Sequence, residues 1–497
     1  MFIFQFAVLA DNDNLTEVFQ DLDLANHYKS LNHHNPLMAH KFGADPAGMV
    51  HDGRLYVYMT NDIIERDNQG NIVENTYGQI TTINRISSAD LVNWTDHGEI
   101  NIGSRGTGKA TWAGLSWAPD ATYKIIDGED KFFLYFSNNA NSVGVLTSDS
   151  PVGPFEDPLG RALISRSTEN VGGVEWLFDP GVFIDDDGKG YLYFGGGVPE
   201  GQGEMPNTAR AVQLGDDMIS LAGRPEVVEA PFFFEAAYMN KIEDTYYFSY
   251  STNFASRFGA EGEHRPSAGT IAYMTSESPM GPWEYQDVIL QNPGSFFGSG
   301  GNNHHSLIKF NDQWYMLYHS QILQDSMDYT GGYRSTHIDK VTIAEDGTIK
   351  PIVATRRGVE QVKSLNPYQV NEAETMAWSS GISVKETNEP SENFPLNMVV
   401  TDMNDGSYIG VSGVDFGQDG AYSFTAKVAC DSDGNAIKIV AGYINDDAIG
   451  YLEVPNTGSL DNFEKVSIDL ENLSGEHNLF FIFAGEAFYF DAWSFEK

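Results

Sequence analysis

The sequence predicts an all-β protein in which a five-bladed β-propeller is followed by a β-sandwich of the jelly-roll type. Glycine supplies 50 of the 497 residues and aromatic residues make up 13%, a composition typical of short strands joined by tight turns. One pattern, a polar turn followed by a strand of alternating aromatic and aliphatic residues, recurs five times. The copies are spaced by roughly 55 to 75 residues, the size of a four-stranded blade with its loops.

The five copies of this pattern lie at residues 48–58, 121–136, 181–194, 237–250 and 306–318. A second pattern, a serine-rich turn that ends in Trp or Phe, follows several copies and is typical of a blade's outer turn. It lies at residues 88–94, 148–155 and 276–283. Units that cannot bury their own faces would close radially around a central channel, which predicts the propeller.

The predicted domains are an N-terminal segment at 1–29, the propeller at 30–362 and the sandwich at 363–497, where short alternating strands begin near Leu365. A short helix is predicted near Leu15 to Leu24, with Asn14 as its cap.

The apolar run Phe2 to Ala10 is far too short to span a membrane, although Val8-Leu9-Ala10 has the small-residue pattern of a signal-peptidase site. No basic region precedes it. We interpret it as the truncated remains of an export signal, the alternative being an N-terminal strand. The expectation is a secreted or extracytoplasmic protein, and a cytoplasmic location stays open.

The charge balance excludes whole classes of partner. With 29 Lys+Arg against 70 Asp+Glu, the formal net charge is -41, so no basic surface is available for a phosphate backbone. Nucleic acid and membranes are therefore not expected partners. The single cysteine, Cys430, excludes an internal disulfide and a cysteine-clustered metal site.

Five polar residues precede the repeat strands at about the same offset. In a radial fold such equivalent positions face the same axis, so these side chains would meet in one funnel. They are Asp45, Asp120, Asp179, Glu235 and His304.

When several carboxyl groups share one cavity, their negative charges repel each other and their pKa values move apart. One group can then stay protonated as an acid while another is ionised as a base. Glycoside hydrolysis needs such a pair, and its stereochemistry depends on whether the carboxyl groups lie about 5 Å or about 6.5 to 9.5 Å apart. Competing motifs, a Gly-x-Ser-x-Gly elbow and His-Glu-x-x-His, are absent from the sequence.

Three further side chains are candidates for the funnel. Trp117 would stack on a sugar ring or pack in the core. Arg334 would bind sugar hydroxyls, neutralise carboxylates or form a surface ion pair. His304 would bind a metal, orient a carboxylate or fill the hub, and its neighbour His305 should face the opposite way in an extended strand. The acidic stretch 185–188 is interpreted as a hairpin turn rather than a cation loop.

Six motifs together resemble glycoside hydrolase family 43, and the resemblance covers roughly residues 30 to 360. They lie at residues 42–47, 116–120, 178–188, 234–236, 301–306 and 333–335. The resemblance implies a five-bladed propeller that acts with inversion on arabinose- or xylose-containing polysaccharide.

By position in these motifs, Asp45 corresponds to the family's general base, Asp179 to the carboxylate that tunes pKa and orients the acid, and Glu235 to the general acid. Asp120 has no usual catalytic role in the family and is expected to be structural. His304 corresponds to a central histidine that in many members lies near a bound calcium or other ion.

Within the family, residues 58–62 and 302–306 look most like the arabinoxylan arabinofuranohydrolases. The expected function is removal of α-L-arabinofuranosyl branches from arabinoxylan, a plant cell-wall polysaccharide. The alternatives are a β-1,4-xylosidase on xylo-oligosaccharides and a non-catalytic carbohydrate-binding propeller.

Two motifs of the C-terminal domain, Pro455-Asn-Thr-Gly458 and Phe488-Tyr-Phe-Asp-Ala-Trp493, occur in the order expected for one family. With them the domain resembles a family 6 carbohydrate-binding module. In that family a calcium lies between the opening acidic residues and the closing strand, which correspond here to Glu372, Glu374 and Asp491. After Gly458, where the family usually carries Trp residues, this chain has Ser-Leu-Asp-Asn-Phe463. This departure leaves two interpretations, a sugar-binding module and a jelly roll that only supports the propeller.

Overall fold

The computed structural model describes residues 12–259 and 265–497. The predicted export-signal remnant at residues 8–10 lies outside them. A first helix, α1 (Asn12–Gln20), confirms the helix predicted near Leu15 to Leu24. The predicted cap at Asn14 is wrong, because the helical backbone already includes residues 12 and 13, so Asn14 lies inside the helix.

The chain forms two compact units, which divide the sequence differently from the predicted domains. One unit, called the catalytic unit below, contains residues 32–87 and 99–359. The other, the sandwich unit, contains residues 88–98 and 360–497 together with the described residues before 32. A pattern along the sequence gives no sign that a short segment such as 88–98 groups with residues far away in the chain.

Five antiparallel sheets account for the strands of the catalytic unit in the described residues. The first contains β1 (Ala44–His51), β2 (Arg54–Thr60) and β3 (Thr82–Ser88), and β4 (Trp94–Asn101) is divided between the two units. The second contains β5 (Trp117–Ile126), β6 (Glu129–Asn138) and β7 (Ser142–Ser148). The third contains β8 (Gly181–Ile184), β9 (Gly190–Phe194), β10 (Ala209–Gln213) and β11 (Glu226–Val228).

The fourth sheet contains β12 (Phe233–Ile242), β13 (Thr245–Thr252), β14 (Ile271–Ser276) and β15 (Glu284–Leu290). The fifth contains β16 (His305–Phe310), β17 (Gln313–Ser320) and β18 (Ser335–Val341). Two short helices accompany this last sheet: α2 (Gly294–Phe297) precedes β16, and α3 (Ile322–Ser326) lies between β17 and β18.

The predicted repeats are confirmed as hairpins, because each of the five copies forms the first two strands of one sheet. The acidic stretch 185–188 is confirmed as the turn between β8 and β9. Lys241 donates to the side chains of Asp185 and Asp186 at 3.0 and 2.8 Å, so its ammonium group neutralises part of the negative charge of this turn.

Successive sheets share hydrophobic cores, and each core contains residues of two consecutive sheets. Tyrosine hydroxyls connect neighbouring sheets as well. The hydroxyls of Tyr58 and Tyr193 donate to the carbonyls of Pro151 and Pro279, at 2.5 and 2.7 Å. Both prolines lie in the serine-rich turns of the second sequence pattern, which explains why the two patterns recur together.

The first and fifth sheets also meet. A Cβ built on Gly48 of β1 would lie 2.6 Å from Ile308 and 2.9 Å from Leu317, so only glycine permits this approach of β1 to β16 and β17. The carbonyls of Arg334 and Thr336 accept hydrogen bonds from the amides of Gly43 and Leu37. The segment before β1 is thereby tied to the region of β18.

The sandwich unit consists of two antiparallel sheets around one hydrophobic core. The strands of this unit are β19 (Asn371–Glu372), β20 (Thr375–Met376), β21 (Trp378–Ser380), β22 (Ser383–Thr387), β23 (Asn397–Thr401), β24 (Tyr408–Asp415), β25 (Ala421–Ala429), β26 (Asn435–Ala441), β27 (Ala448–Val454), β28 (Glu464–Leu473), β29 (Glu476–Ala484) and β30 (Tyr489–Glu496). One sheet has the order β22-β23-β30-β25-β28, with β19 beside β30, and the other the order β21-β24-β29-β26-β27. The two-residue β20 belongs to neither sheet and pairs with Trp94 and Thr95 of β4, which lie in the same unit. This arrangement confirms the predicted β-sandwich.

Candidate active site

A cavity of about 430 Å³ opens in the catalytic unit. Six residues named in the sequence analysis line it, and they come from all five sheets or from the loops that adjoin them: Asp45, Trp117, Asp179, Glu235, His304 and Arg334. Four of the five equivalent positions, those of Asp45, Asp179, Glu235 and His304, therefore meet in one cavity, and the fifth, Asp120, does not.

Irregular backbone directs two of the carboxylates into the cavity. Asp45 and Asp179 have left-handed φ values of 50° and 49°, a conformation that is uncommon for non-glycine residues and that Asp and Asn tolerate best. The register of β1 against β2 shifts between Ala44 and Ala47, and that of β12 against β13 shifts on either side of Glu235. Such bulges re-aim a side chain at the cost of ladder hydrogen bonds.

Asp45 is a buried carboxylate with strong polar partners. The Thr60 hydroxyl donates to Oδ2 at 2.7 Å, and Nη1 of Arg334 donates to Oδ1 at 2.8 Å. Burial alone would raise the pKa of Asp45, but the positive charge of Arg334 outweighs it together with the neighbouring imidazoles, so this pKa lies well below its ordinary value. Asp45 is consequently ionised at neutral pH.

The pKa of Asp179 is displaced in the opposite direction to that of Asp45. Its Oδ2 accepts the amide of Ala236 at 3.1 Å, and its own amide donates to the Ser137 hydroxyl at 2.8 Å. Burial and then the negative charge of Asp45 raise the pKa of Asp179 well above its ordinary value. The bond to Ala236 connects this carboxylate to the residue that directly follows Glu235.

Glu235 is buried, and its Oε1 has no hydrogen-bond partner among the described residues. Burial raises the pKa of Glu235 well above its ordinary value, and the charges of Asp179 and Asp45 raise it further. The side chain of Asn302 and the charge of Arg334 oppose this only in part. Glu235 therefore holds its proton under conditions in which Asp45 has lost its own.

His304 lies between the two aspartates. Its Nδ1 is 3.5 Å from Oδ1 of Asp45 and 3.7 Å from Oδ2 of Asp179. Burial lowers the pKa of His304 to about 4, so the imidazole is neutral at neutral pH. Its neighbour His305 faces away from the cavity and pairs through Nε2 with the Ser249 hydroxyl at 2.7 Å, as the strand pattern predicted.

Asp62 is a site residue to which the sequence analysis gave no role. Its carboxylate accepts two hydrogen bonds from the Arg334 guanidinium, from Nε at 2.9 Å and from Nη2 at 2.8 Å, and a third from the Arg334 amide. This bidentate pair fixes the guanidinium plane so that Nη1 reaches Asp45. The quoted motif at 58–62 contained Asp62, but its pairing with a residue 272 positions later has no local signal.

The cavity wall contains an aromatic side chain that the repeats do not predict. Tyr77 belongs to the irregular segment between β2 and β3, and Arg334 lies over its ring at 5.0 Å. The Trp117 indole donates to the Tyr77 carbonyl at 3.0 Å. On the side of Glu235, a second group of rings lines the cavity, namely Trp176, Phe178 and Phe234.

Asp120, the fifth of the equivalent positions, lies elsewhere. It is buried outside the cavity lining, and its carboxylate accepts the amides of Ala121 and Val182 at 2.9 and 2.7 Å. Burial raises the pKa of Asp120 to about 7. This carboxyl connects β5 with β8, which agrees with the expected structural role.

The surroundings of His304 do not fit the calcium predicted at the hub. Calcium prefers oxygen ligands, whereas His304 presents its Nδ1 to two carboxylates, and Arg334 already neutralises the nearer of them. Over residues 12–259 and 265–497, no group of three or more His, Cys, Asp or Glu side chains is arranged to hold a metal ion.

In the sandwich unit, the three predicted calcium ligands are buried but differ in their partners. Asp491 is paired with Lys427 at 2.7 Å and accepts Asn397 at 2.6 Å. Glu372 accepts two neutral donors. Oε2 of Glu374 has no partner among the described residues, and burial, followed by the charge of Glu372, raises its pKa well above the ordinary value. Glu372 and Glu374 thus fit a hard cation, while Asp491 is already neutralised.

The comparisons with known proteins agree with this geometry. Residues 33–349 match the family model described as Glycosyl hydrolases family 43. The chain belongs to this family. Residues 372–497 match the model of the Carbohydrate binding module (family 6).

Two relatives share most of the chain. The Arabinoxylan arabinofuranohydrolase of Bacillus subtilis (strain 168) is 44% identical over 486 residues, which are 94% of this chain and 93% of the relative. The Arabinoxylan arabinofuranohydrolase of Paenibacillus polymyxa is 43% identical and covers 93% of this chain and 74% of its own. Relatives whose names include xylosidase have lower identities, 27% to 29%.

One solved structure matches both units. It is the family 43 arabinoxylan arabinofuranohydrolase from Bacillus subtilis in complex with cellotetraose, with a TM-score of 0.91 and 43% identity over 95% of this chain and 99% of that chain.

In the described part of the present chain, no helix is long and apolar enough to cross a membrane.

Proposed function

We propose that the protein is an inverting glycoside hydrolase that removes α-L-arabinofuranosyl branches from arabinoxylan. The proposal rests on two buried carboxyl groups with opposite surroundings in one cavity. Asp45 is paired with Arg334 at 2.8 Å, whereas Oε1 of Glu235 has no partner among the described residues, so the pKa of Asp45 is lowered and that of Glu235 is raised. An ionised base and a protonated acid are the pair that glycosidic cleavage requires. The names of the most similar relatives supply the sugar.

In the proposed reaction, Asp45 is the general base and Glu235 the general acid. Asp45 accepts a proton from the attacking water while the water oxygen forms a bond to the anomeric carbon. Glu235 gives its proton to the glycosidic oxygen as the bond from that oxygen to the anomeric carbon breaks. The products are arabinose and a xylan hydroxyl, with Asp45 protonated and Glu235 ionised until they exchange protons with water.

The remaining cavity residues prepare this pair. Asp179 keeps the pKa of Glu235 high through its charge and is hydrogen bonded to the backbone next to it. Arg334 stabilises the ionised form of Asp45, and Asp62 holds the guanidinium in place. We assign no ion to His304, whose neutral ring orients the two aspartates.

The aromatic groups indicate how the substrate lies. Because Glu235 protonates the leaving oxygen, the xylan chain must extend from the side of Glu235, where Trp176 and Phe234 line the cavity. The ring centroids of Phe234 and Phe254 are 5.7 Å apart, and 53% of the Phe254 surface is exposed. The arabinosyl ring then lies toward Trp117 and Tyr77, deeper among the carboxylates.

A direct assay separates this function from its two alternatives. The protein is incubated with arabinoxylan and, separately, with xylobiose, and the released sugars are identified. Arabinose from arabinoxylan supports the proposal, xylose from xylobiose alone would indicate a β-xylosidase, and no release from either would indicate a binding propeller. Proton NMR of the first product formed reports the anomer and so tests inversion.

We further propose that the five sheets of the catalytic unit are the blades of a five-bladed propeller. Its support is the sequence of shared cores from the first sheet to the fifth together with the close approach of β1 to β16 and β17 at Gly48. An electron-density map of the protein would test the blade count.

We propose a structural calcium in the sandwich unit, held by Glu372 and Glu374. Two buried carboxylates with raised pKa values and an unpartnered Oε2 support it. The ion would neutralise their repulsion and tie the start of the sandwich together. We also propose that the protein is secreted, and its location in fractionated cells tests this. Sugar binding by the sandwich unit is a separate proposal, which binding of the full chain to insoluble xylan tests.

A further inference from the structure

His319 contacts the backbone of the proposed base, yet it belongs to no motif discussed above. It lies on β17 and is buried to 1% exposure. The amide of Asp45 donates to its Nδ1 at 3.1 Å, and its Nε2 lies 3.1 Å from the carbonyl of Asn302. Nδ1 also lies 3.3 Å from Oδ1 of the Asp45 side chain. One ring therefore spans two separate parts of the cavity.

The first of these contacts satisfies an amide that the sheet leaves unpaired. Because β1 shifts register between Ala44 and Ala47, Asp45 has no partner on β2, and a buried amide without a partner is costly. Nδ1 of His319 accepts this hydrogen bond and so holds Asp45 at its left-handed φ of 50°. The direction of the carboxylate depends on that backbone angle.

The second contact extends to the acid. Nδ1 of His319 is closer to the Asp45 amide, at 3.1 Å, than to Oδ1 of the same residue, at 3.3 Å. A nitrogen that accepts an amide carries no proton, so this geometry points to a ring proton on Nε2, which donates to the Asn302 carbonyl. Asn302 lines the cavity, and its side chain is a hydrogen-bond partner of Glu235. The same imidazole thus sets the place of the loop that contacts the acid.

We propose that His319 is a positioning residue that fixes the spacing between the general base and the general acid. The inference rests on the proposed function, since it assumes that Asp45 and Glu235 have these roles. His319 contacts neither sugar nor water in this account. Its effect passes through the backbone of Asp45 on one side and through Asn302 on the other.

Two substitutions separate the two contacts. His319→Asn keeps an acceptor near the Nδ1 position for the Asp45 amide and removes the donor to Asn302. His319→Gln keeps a donor near the Nε2 position and removes the acceptor. Each variant is assayed on arabinoxylan and on 4-nitrophenyl α-L-arabinofuranoside, whose leaving group departs with little help from an acid.

We expect both variants to lose kcat, by about 10²-fold on arabinoxylan, because small displacements of catalytic groups have effects of this size, with KM changed much less. His319→Asn should retain most of its activity on the nitrophenyl substrate, since only the acid is displaced. His319→Gln should lose activity equally on both substrates, since the base is displaced. Equal behaviour of the two variants on both substrates would overturn the proposal.

A matched control is His337 on β18, which is equally buried and pairs through Nε2 with the Ser320 hydroxyl at 2.8 Å. His337→Asn should lower the melting temperature as much as His319→Asn and leave kcat unchanged on both substrates. A loss of kcat in His337→Asn equal to that in His319→Asn would mean that any buried histidine of this sheet has the same effect, which would also overturn the proposal.

The wild-type protein provides a measurement that needs no folded variant. Neutron diffraction from its crystals should place deuterium on Nε2 of His319 and none on Nδ1, and the reverse tautomer would contradict the proposal. The underlying function is checked separately by arabinose release from arabinoxylan by the wild-type enzyme. If that release fails, the proposed function fails whatever the tautomer of His319.

Discussion

Each unit contains a group of three buried carboxyl groups. In the catalytic unit they are Asp45, Asp179 and Glu235, and in the sandwich unit they are Glu372, Glu374 and Asp491. In the first, Arg334 pairs with Asp45 and leaves Glu235 without a partner for Oε1. In the second, Lys427 pairs with Asp491 and leaves Glu374 without a partner for Oε2.

In both groups one carboxylate is paired with a cation and one glutamate oxygen has no partner. The groups differ in whether a substrate can reach the carboxyl groups. The carboxylates of the catalytic unit line a cavity of about 430 Å³ with aromatic walls, where a sugar and a water have room. In the sandwich unit, Glu372 and Asp491 line a cavity of only about 30 Å³, and Glu374 lines neither of these two cavities. A separated pair of pKa values becomes an acid and a base only where a substrate can reach both.

The largest expected difference between the groups concerns the unpartnered glutamates. Glu235→Gln should lower kcat/KM on arabinoxylan by about 10²- to 10⁴-fold, the usual contribution of a general acid. Glu374→Gln should leave kcat/KM unchanged. Initial rates of arabinose release measure both, and an equal loss in the two variants would remove the distinction drawn between the two groups.

The cations should differ in their effect on folding. Arg334→Met leaves Asp45 and Asp62 as unpaired buried carboxylates and should lower the free energy of unfolding by about 3 to 5 kcal/mol. Lys427→Met should have a smaller effect, because 19% of the Lys427 side chain is exposed and water can reach it. Urea unfolding of the two variants compares them, and a larger loss for Lys427→Met would contradict the account.

The pH profile sharpens the comparison further. An acid must be protonated, so kcat/KM falls as pH rises through the pKa of Glu235. The negative charge of Asp179 raises that pKa, so in Asp179→Asn the alkaline limb should move to lower pH. Asp491→Asn, the matched change in the sandwich unit, should leave the limb in place. An unmoved limb in Asp179→Asn would refute the assigned role of Asp179.

The smallest expected effect is that of Glu374 on the stability of the folded protein, and its sign should depend on calcium. A carboxyl with a raised pKa in the folded state binds more protons than in the unfolded state, so it lowers stability as pH rises above its unfolded pKa. Without calcium, Glu374→Gln should therefore melt slightly higher than wild type at neutral pH. With calcium, the order should reverse, since only the wild type gains from the ion. Melting curves in EDTA and in calcium test this, and kcat/KM should not change.

Most of the fold was predictable because it repeats. The alternation of aromatic and aliphatic residues gave the five hairpins, and equivalent positions before them located Asp45, Asp179, Glu235 and His304. The same alignment placed Asp120 in the set, although its carboxylate connects two sheets outside the cavity. Position in a repeat predicts direction, but not whether a neighbouring backbone amide already occupies the group.

The residues that sequence patterns did not assign act through contacts distant in the chain. Asp62 holds Arg334 across 272 positions, and His319 holds Asp45 across 274. Tyr77 comes from an irregular segment without periodicity. Pairings of this kind follow from how sheets meet, which composition and local spacing do not encode.

Glu235 is expected to be protonated, and Asp45 ionised, in the same cavity at neutral pH. Infrared difference spectra, wild type minus Glu235→Gln and wild type minus Asp45→Asn, report the two carboxyl groups separately as pH is changed. We expect a protonated carboxyl band for Glu235 at neutral pH and an ionised band for Asp45 throughout the pH range of the folded protein. An ionised Glu235 at neutral pH, or a protonated Asp45, would refute the assignment of acid and base.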